Sequence, residues 1–464
     1  MSFESDIVKI VGKNNFSSDI ADLLSYSRDS SPIRGYLPDC VVLPRTAFEV
    51  SEVLKLANKE GKKVVPRGGG TSPCGASIPL SDGCVIIDSV RLKGIQFNEE
   101  DMTASIKAGT TWAELIRYLK KFDVKPMFVG PHSGYSATIG GGCASSAIGY
   151  GSAKHGQIGD SIVTLEVVLP SGEIIYTGSA ANPNAGKFGR YCNGPDLAGL
   201  FIGSHGIYGF ITEVTLKVEP IPTYVDYFTF GFNHIKNSID FIRELQKKTI
   251  PEHAVIYFDK NTIHKFGAEG SKSLVSIVIE EEDAEIGEAK SKLVEKLSKK
   301  YDAFYHNKCV SQSLWTKNLF DSIPSSGREG IWVQSCHRIP LSRLELSINK
   351  AFRFFNNKMK KYNLKIPLCM SATVVSGQNS NFVSTFLFKE NDQNLNNKIF
   401  KIWDQWIDII LRENGGCPYW IGYKWTINLY KYLRKSYFDI LWKLKKILDP
   451  NYIMYPNMIL LRKD

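Results

Sequence analysis

Three glycine-rich stretches hold the residue types most able to do chemistry. The first, Val64-Val65-Pro66-Arg67-Gly68-Gly69-Gly70-Thr71-Ser72, runs from a β-branched segment into three consecutive glycines and two hydroxyl residues. Consecutive glycines let a backbone approach a ligand closely, without a Cβ clash. Their N–H groups can then converge on an anion. The second stretch, from Pro131 to Gly156, is almost wholly small residues. It buries little apolar area and so adds little hydrophobic stabilisation. Such a run makes sense where a ligand fills the space its side chains leave empty. The third, Gly203-Ser204-His205-Gly206-Ile207-Tyr208-Gly209, leads into a strand. Together the three predict a cradle for an extended ligand with a pyrophosphate at its middle. No G-x-G-x-x-G follows a strand; the nearest miss, Gly149-x-Gly151-x-x-Lys154, has Lys at the third position. Walker A, H-E-x-x-H and G-x-S-x-G sequences are absent too, which argues against a Rossmann, P-loop, zincin or serine-hydrolase site.

Rigid elements must flank these loops. Residues 1–45 read as a short helix and an extended segment ending Cys40-Val41-Val42-Leu43-Pro44. Thr46-x-x-Glu49 is a capping box, and Val50, Val53, Leu54 and Ala57 follow at helical spacing. The first unit is therefore strand, helix over 46–60, strand over 63–66, then the glycine loop. Val85-Ile86-Ile87-Asp88 and Thr103 to Ala108 are further strands, and Thr111-x-x-Glu114 opens a helix over 112–122. Strands alternating with helices predict an α/β layer. Strands over 162–169 and 211–218 complete this unit, which closes at Pro220-Ile221-Pro222.

Beyond Pro222 glycine becomes sparse, and Lys, Glu and Asn rise. Strands are expected over 224–232, 253–258, 273–280, 303–310, 331–337, 366–374 and 382–388. Helices are expected over 234–248, 283–300, 341–361 and 393–413, with a short one near 312–320. The order βαββαβ followed by βαββα predicts two ferredoxin-like halves joined into one antiparallel sheet with helices on one face. Aromatic residues crowd 417–430, and a helix near 434–447 stops before Pro450.

The 464 residues carry a net charge of +10, with 43% hydrophobic and 22% charged residues. Those values suit a folded protein with large cores. The densest basic segments, 358–361 and 431–446, are mixed with apolar residues at helical spacing, so they read as solvated helix faces and not as a nucleic-acid arm. Peripheral contact with an anionic membrane and assembly as a homodimer stay open. The nine cysteines include no C-x-x-C pair and sit among apolar or small neighbours, which points to free thiols in a reducing compartment. The N-terminus lacks a basic and apolar signal pattern, and no apolar run reaches the ~18 residues of a spanning helix. A cytoplasmic protein is expected, with or without membrane association.

The sequences Pro66-Arg67-Gly68-Gly69-Gly70-Thr71, Ala137-Thr138-Ile139-Gly140-Gly141, the segment from Leu200 to Thr212, and Leu448-Asp449-Pro450-Asn451 resemble the vanillyl-alcohol oxidase type of FAD-linked oxidoreductase. Within it the chain is most similar to the branch of glycolate oxidase FAD subunits and D-lactate dehydrogenases. The resemblance implies an α+β fold: a two-part α/β FAD-binding domain over 1–222, a cap over 223–425 with an antiparallel sheet covered by helices, and 426–464 returning to the FAD domain. It also implies that Pro66, Arg67, Gly68, Gly69, Gly70, Thr71 and Ser72 wrap the FAD pyrophosphate. Pro131, Ala137, Thr138, Gly140, Gly141, Ala144 and Ser145 would line the flavin side, with Gly206 and Ile211 on the far wall. Some members tether FAD through a His just after the glycine loop; Thr71 stands there, so non-covalent FAD is expected. His205 replaces the usual Glu of a Gly-Ser-Glu-Gly segment.

The substrate half departs from that pattern. The branch carries H-x-G-D-G-N and E-H-G-I-G segments whose histidines bind a metal and act as base. Here the matching stretches are Cys369 to Val374 and Gly415 to Lys424, and no His follows His337. No metal is expected. An alcohol oxidation still needs a group to take the hydroxyl proton. Tyr419, Tyr423, Lys424, His337 and Arg338 are the candidates, with Arg338 or Arg328 able to pair a substrate carboxylate. The expected function is FAD-dependent oxidation of a small 2-hydroxy acid, D-lactate first, with an electron acceptor that the residues leave unnamed. The alternatives are an ether-forming enzyme like the alkylglycerone-phosphate synthases, and an FAD-binding subunit without substrate chemistry of its own.

Overall fold

The computed structural model describes residues 2–305, 307–317, 319–320, 331–364, 368–388 and 393–460. The first sheet contains β1 (Phe16–Ser17), β2 (Cys40–Val42), β3 (Lys63–Arg67) and β4 (Cys84–Asp88) in the order β1-β2-β4-β3. Both β2 and β3 run parallel to β4, as the strand–helix–strand reading requires. The helix Ala47–Lys59 buries Val50, Val53, Leu54 and Ala57 beside this sheet. Each large apolar side chain so buried contributes about 1.5–3 kcal/mol. Thr46 caps the helix by accepting the Glu49 N–H at 3.1 Å.

The second sheet departs from the α/β expectation. It comprises β5 (Ile95–Asn98), β6 (Thr103–Lys107), β7 (Val124–Pro126), β8 (Ile162–Val168), β9 (Ile174–Tyr176) and β10 (Phe210–Pro220). The order is β5-β6-β10-β8-β9, with β7 also on β10, and every pairing is antiparallel. Helix and strand alternation in the sequence does not distinguish a parallel crossover from a return connection. The small-residue stretch is ordered by its few large members: Ile139 and Tyr150 are buried in the core beneath it, with Ala147 beside them. Thr138 caps the short helix Ile139–Ala144 through the Gly141 N–H.

The cap holds one eight-stranded sheet of β11 (Tyr224–Phe232), β12 (His253–Tyr257), β13 (Ser273–Glu281), β14 (Phe304–Tyr305), β15 (Ile331–Pro340), β16 (Leu368–Val375), β17 (Asn379–Phe388) and β18 (Cys417–Pro418). Its order is β14-β11-β13-β12-β16-β17-β15-β18, and its pairings are antiparallel, so the two halves join through β12 and β16. The strand expected over 303–310 is a correction. Among the described residues of that stretch only Phe304–Tyr305 is extended, and Cys309–Trp315 is a helix. Val310 and Leu314, four apart, are both buried, and that helical spacing prevails over the short apolar run. The long helix Gln393–Ile409 ends in a π-helical turn over Ile410–Asn414.

The last segment returns to the first sheet. Val64 donates to the Ile453 carbonyl at 2.7 Å, and Tyr455 donates to Val64 at 2.7 Å. The fully buried Asp449 accepts from Lys445 Nζ at 2.6 Å and from the Ile453 and Met454 N–H groups. Lys445 also donates to the carbonyls of Ile207 and Met454, so this clasp ties the C-terminus to the third glycine stretch. Among the described residues, no helix is long and apolar enough to cross a membrane.

Candidate active site

A cavity of about 740 Å³ lies between the glycine stretches and one face of the cap sheet. Pro66, Arg67, Gly68, Gly69, Gly70, Thr71 and Ser72 line it, as do Pro131, Ala137, Thr138, Gly140, Gly141, Ala144, Ser145, Gly206 and Ile211. The structure thus brings every residue expected at the cofactor around one cavity. Close backbone approach explains several of these glycines. A Cβ on Gly69 would sit 1.8 Å from the Ser136 carbonyl oxygen, and one on Gly206 would sit 2.4 Å from Pro66 Cγ. The loops therefore meet at distances that only glycine allows.

The first loop has the donors an anion needs. Among the described residues, the N–H groups of Gly68, Gly69, Gly70, Thr71 and Ser72 find no protein acceptor. The loop is half-exposed along the cavity, and five successive bare donors there form a concave anion site that fits a pyrophosphate. The Arg67 guanidinium packs against Gly70 and lies over the Tyr26 ring, 5.0 Å from its centre. It donates to the Arg28 and Ser77 carbonyls at 2.9 and 2.8 Å. Its positive charge is thereby held in place beside the loop.

The residues expected to act on substrate fall differently. Only Tyr419 reaches the cavity. Its hydroxyl accepts the Ile148 N–H and donates to the Ile148 carbonyl at 3.1 Å, while burial pushes its pKa up. That oxygen is occupied in pinning the cap to the second glycine stretch. Tyr419→Phe should therefore lower stability by about 1–3 kcal/mol through the orphaned Ile148 N–H. Flavin reduction in that variant should stay within tenfold of wild type in stopped-flow measurements.

Lys424 donates to both Asp404 oxygens at 2.8 and 2.9 Å, away from the cavity. Tyr423 packs on the cap core, and its N–H donates to Gly75. His337 is fully buried among Phe382 and Trp406, with Nε2 3.3 Å from Ser347 Oγ, and burial lowers its pKa to about 3. Arg338 donates to Gln157 Oε1 at 2.6 Å. None of these four lines the cavity: His337 and Arg338 sit in the paired strand β15, Lys424 is held by Asp404, and Tyr423 packs on the cap core. Arg328 lies outside the described residues.

The cap wall is instead built from side chains that were not among the candidates for the chemistry, although Cys369, Ser371 and Thr373 lie in the stretch matched to the branch's H-x-G-D-G-N segment. Cys369, Ser371 and Thr373 of β16, Asn381, Val383 and Thr385 of β17, and Gln334 of β15 face the cavity, with Tyr257 and Asp259 beyond them. The signal was present as a period-two run of small polar residues inside apolar strands, the pattern of a strand with one wetted face. Asn381 Oδ1 and His132 Nδ1 are buried there without a protein partner. Burial lowers both His132 and His205 to about 4, so both imidazoles are neutral near pH 7.

Among the described residues, one cluster outside the cavity has metal-ligand chemistry, His155 with Glu219 and Glu252. Lys125 and Lys154 already sit on its carboxylates, at 3.1 Å from Glu219 and 3.2 Å from Glu252. The cluster is thus an ion-pair network.

Comparison with known proteins agrees with this geometry. Residues 38–178 match the FAD binding domain family. The glycolate oxidase subunit GlcD of Bacillus subtilis is 29% identical over 308 residues, covering 65% of this chain and 63% of that protein. A mitochondrial cytochrome-dependent D-lactate dehydrogenase of Arabidopsis thaliana is 26% identical over 440 residues, covering 91% of this chain and 74% of that one. An alkyldihydroxyacetonephosphate synthase of Dictyostelium discoideum is 24% identical, covering 91% and 73%. The fold matches the structure of p-cresol methylhydroxylase with substrate bound, with a TM-score of 0.84 at 16% identity, over 100% of this chain and 97% of that one.

Proposed function

We propose that this chain, which carries the FAD-binding domain of the vanillyl-alcohol oxidase-type flavoproteins, oxidises the CH–OH group of a small 2-hydroxy acid, D-lactate first. The observation that carries the reading is the cavity itself, with bare N–H donors on one wall and hydrogen-bonding side chains on the other. FAD is the cofactor, and when bound it supplies the two-electron acceptor.

The chain's own residues do the rest. Gly68 to Ser72 hold the pyrophosphate through backbone N–H groups. The small residues from Ala137 to Ser145 leave room for a flat ring against the second stretch. Ser371, Thr373, Asn381 and Thr385 orient the substrate from the cap side, and Tyr419 with Trp420, their rings 4.3 Å apart, closes the wall between them. The similarity to glycolate oxidase and D-lactate dehydrogenase relatives supports the 2-hydroxy acid as substrate class.

The purified protein is expected to be yellow or to become so on adding FAD. Mixed anaerobically with D-lactate, it should bleach within seconds, and L-lactate should leave it coloured. A protein that takes up no flavin sinks the proposal. The synthase relative supports a second reading, ether formation on the same cofactor. Flavin that binds but that no alcohol bleaches favours this second reading.

A further inference from the structure

We infer that Asp259 is the proton acceptor for the reacting hydroxyl, a role that rests on the alcohol-oxidising reading above. It lines the cavity from the cap side. Among the described residues of the wall it is the one carboxylate. Its side chain is fixed from two directions. Oδ1 accepts the Thr262 N–H at 2.8 Å, and Oδ2 accepts the Met370 N–H at 2.8 Å. The Thr262 side chain hydrogen-bonds the carboxylate as well; a carboxylate offers about four lone-pair sites, so a substrate hydroxyl would take the remaining one.

The register of the sheet supplies polar neighbours for a substrate there. Met370 is followed back along β16 by Cys369, which stands opposite Thr385, and Thr385 stands opposite Gln334. Cys369, Thr385 and Gln334 form one row on the wetted face, and all three line the cavity, as does Thr262. A hydroxyl placed on Asp259 has neutral hydrogen-bonding groups beside it.

The step balances as follows. The substrate O–H bond breaks and its proton passes to a carboxylate oxygen of Asp259, leaving a neutral carboxylic acid. The C–H bond breaks, and its hydrogen departs with the bonding pair to bound FAD, the oxidant. A C=O bond forms between the two atoms. Burial raises Asp259, while the N–H bonds from Met370 and Thr262 oppose the rise. A raised carboxylate is a better base than an exposed one, as general-base catalysis near neutral pH requires. Tyr257 of β12 and Cys369 of β16 are the titratable groups packed beside it, and Lys260, His264 and Lys265 of the helix it caps are exposed.

The test compares FAD-loaded wild type with Asp259→Asn, which keeps an N-cap oxygen for Thr262, and with Asp259→Ser, a second cap without a titratable group. Each is mixed anaerobically with D-lactate, glycolate, glycerol and benzyl alcohol. Both variants should retain FAD and reduce it about 10²–10⁴-fold more slowly, the range for a lost general base. A second readout is independent of turnover. Pyruvate binding, measured by calorimetry in buffers of different ionisation enthalpy, should take up one proton in wild type and none in either variant, because the keto group accepts a hydrogen bond only from protonated Asp259. Wild-type rates in a flavin-loaded variant overturn the assignment, as does equal proton uptake. Bleaching by glycerol or benzyl alcohol but by neither acid overturns the 2-hydroxy-acid reading alone, and the variants are then compared on that alcohol. A wild type that none of the four bleaches overturns both.

Discussion

Gly69→Ala should yield a protein that loses most of its flavin. The new methyl would lie 1.8 Å from the Ser136 carbonyl oxygen and 2.7 Å from its carbon. Both are backbone atoms, so no side-chain rotation relieves the contact. The first glycine loop must then move off the second, and the five bare N–H groups lose their common focus. Overpacking of this kind costs about 1–3 kcal/mol. If the cost falls on the liganded loop conformation, FAD affinity drops by about tenfold to 100-fold. The control is Gly61→Ala. Gly61 has φ of +64° and nothing within 4 Å of a built Cβ, so it strains the backbone without touching the loops. Fluorescence titration of FAD into both apoproteins decides the matter. Wild-type affinity in Gly69→Ala would show that the loop contact does not shape the site.

This contact also shows what the sequence could and could not convey. Glycine runs announce that a backbone must come close to something, and the residues at 66–72 and 131–156 were legible for that reason. What they approach is partly each other, which no local pattern states. The cap was legible as elements, since strands β11 to β13 and β15 to β17 follow alternating apolar runs with helices between them. The residues on its cavity face were not. Tyr423, Lys424, His337 and Arg338 attracted notice because their chemistry is versatile, yet Lys424 is held by Asp404 and His337 is enclosed by Phe382 and Trp406. Asp259 drew no notice because a carboxylate before a short helix reads as an ordinary N-cap, and it is one. Its second property, facing the cavity, depends on the pairing of β12 with β16, contacts more than a hundred residues apart.

The second large effect concerns the junction between the two halves. Lys125, Lys154, His155 and Glu219 come from the FAD side, and Glu252 and Glu280 from the cap. Glu252 is fully buried, 3.4 Å from Lys125 Nζ, 3.2 Å from Lys154 Nζ and 3.1 Å from His155 Nε2. Three carboxylates thus face two ammonium groups and one imidazole, which balances only when His155 is protonated. Burial would lower His155, but Glu219 and Glu252 prevail and lift it from 6.5 to about 9. Burial would raise Glu252, but His155, Lys125 and Lys154 bring it down to about 2. Glu252→Gln leaves buried cations without their counter-charge, and breaking such a pair costs about 3–5 kcal/mol. Because the two halves need not unfold together, the loss is read as earlier opening of the junction in hydrogen exchange as well as a lower melting temperature. The pH dependence gives an independent check. A folded-state pKa above the unfolded one adds stability that is complete below about pH 6.5, shrinks as pH rises, and is gone above about 9. The Glu252 contribution has the opposite sense: it is complete above about 4.5 and lost as pH falls toward 2. Wild type should therefore lose melting temperature between pH 6.5 and 9. His155→Gln should flatten that slope, and Glu252→Gln should reduce it while Glu219 remains. Equal slopes in all three proteins would mean that His155 carries no charge at this junction. A double variant, Glu252→Gln with Lys154→Met, should recover part of the lost stability, because it removes one stranded cation along with the carboxylate that held it.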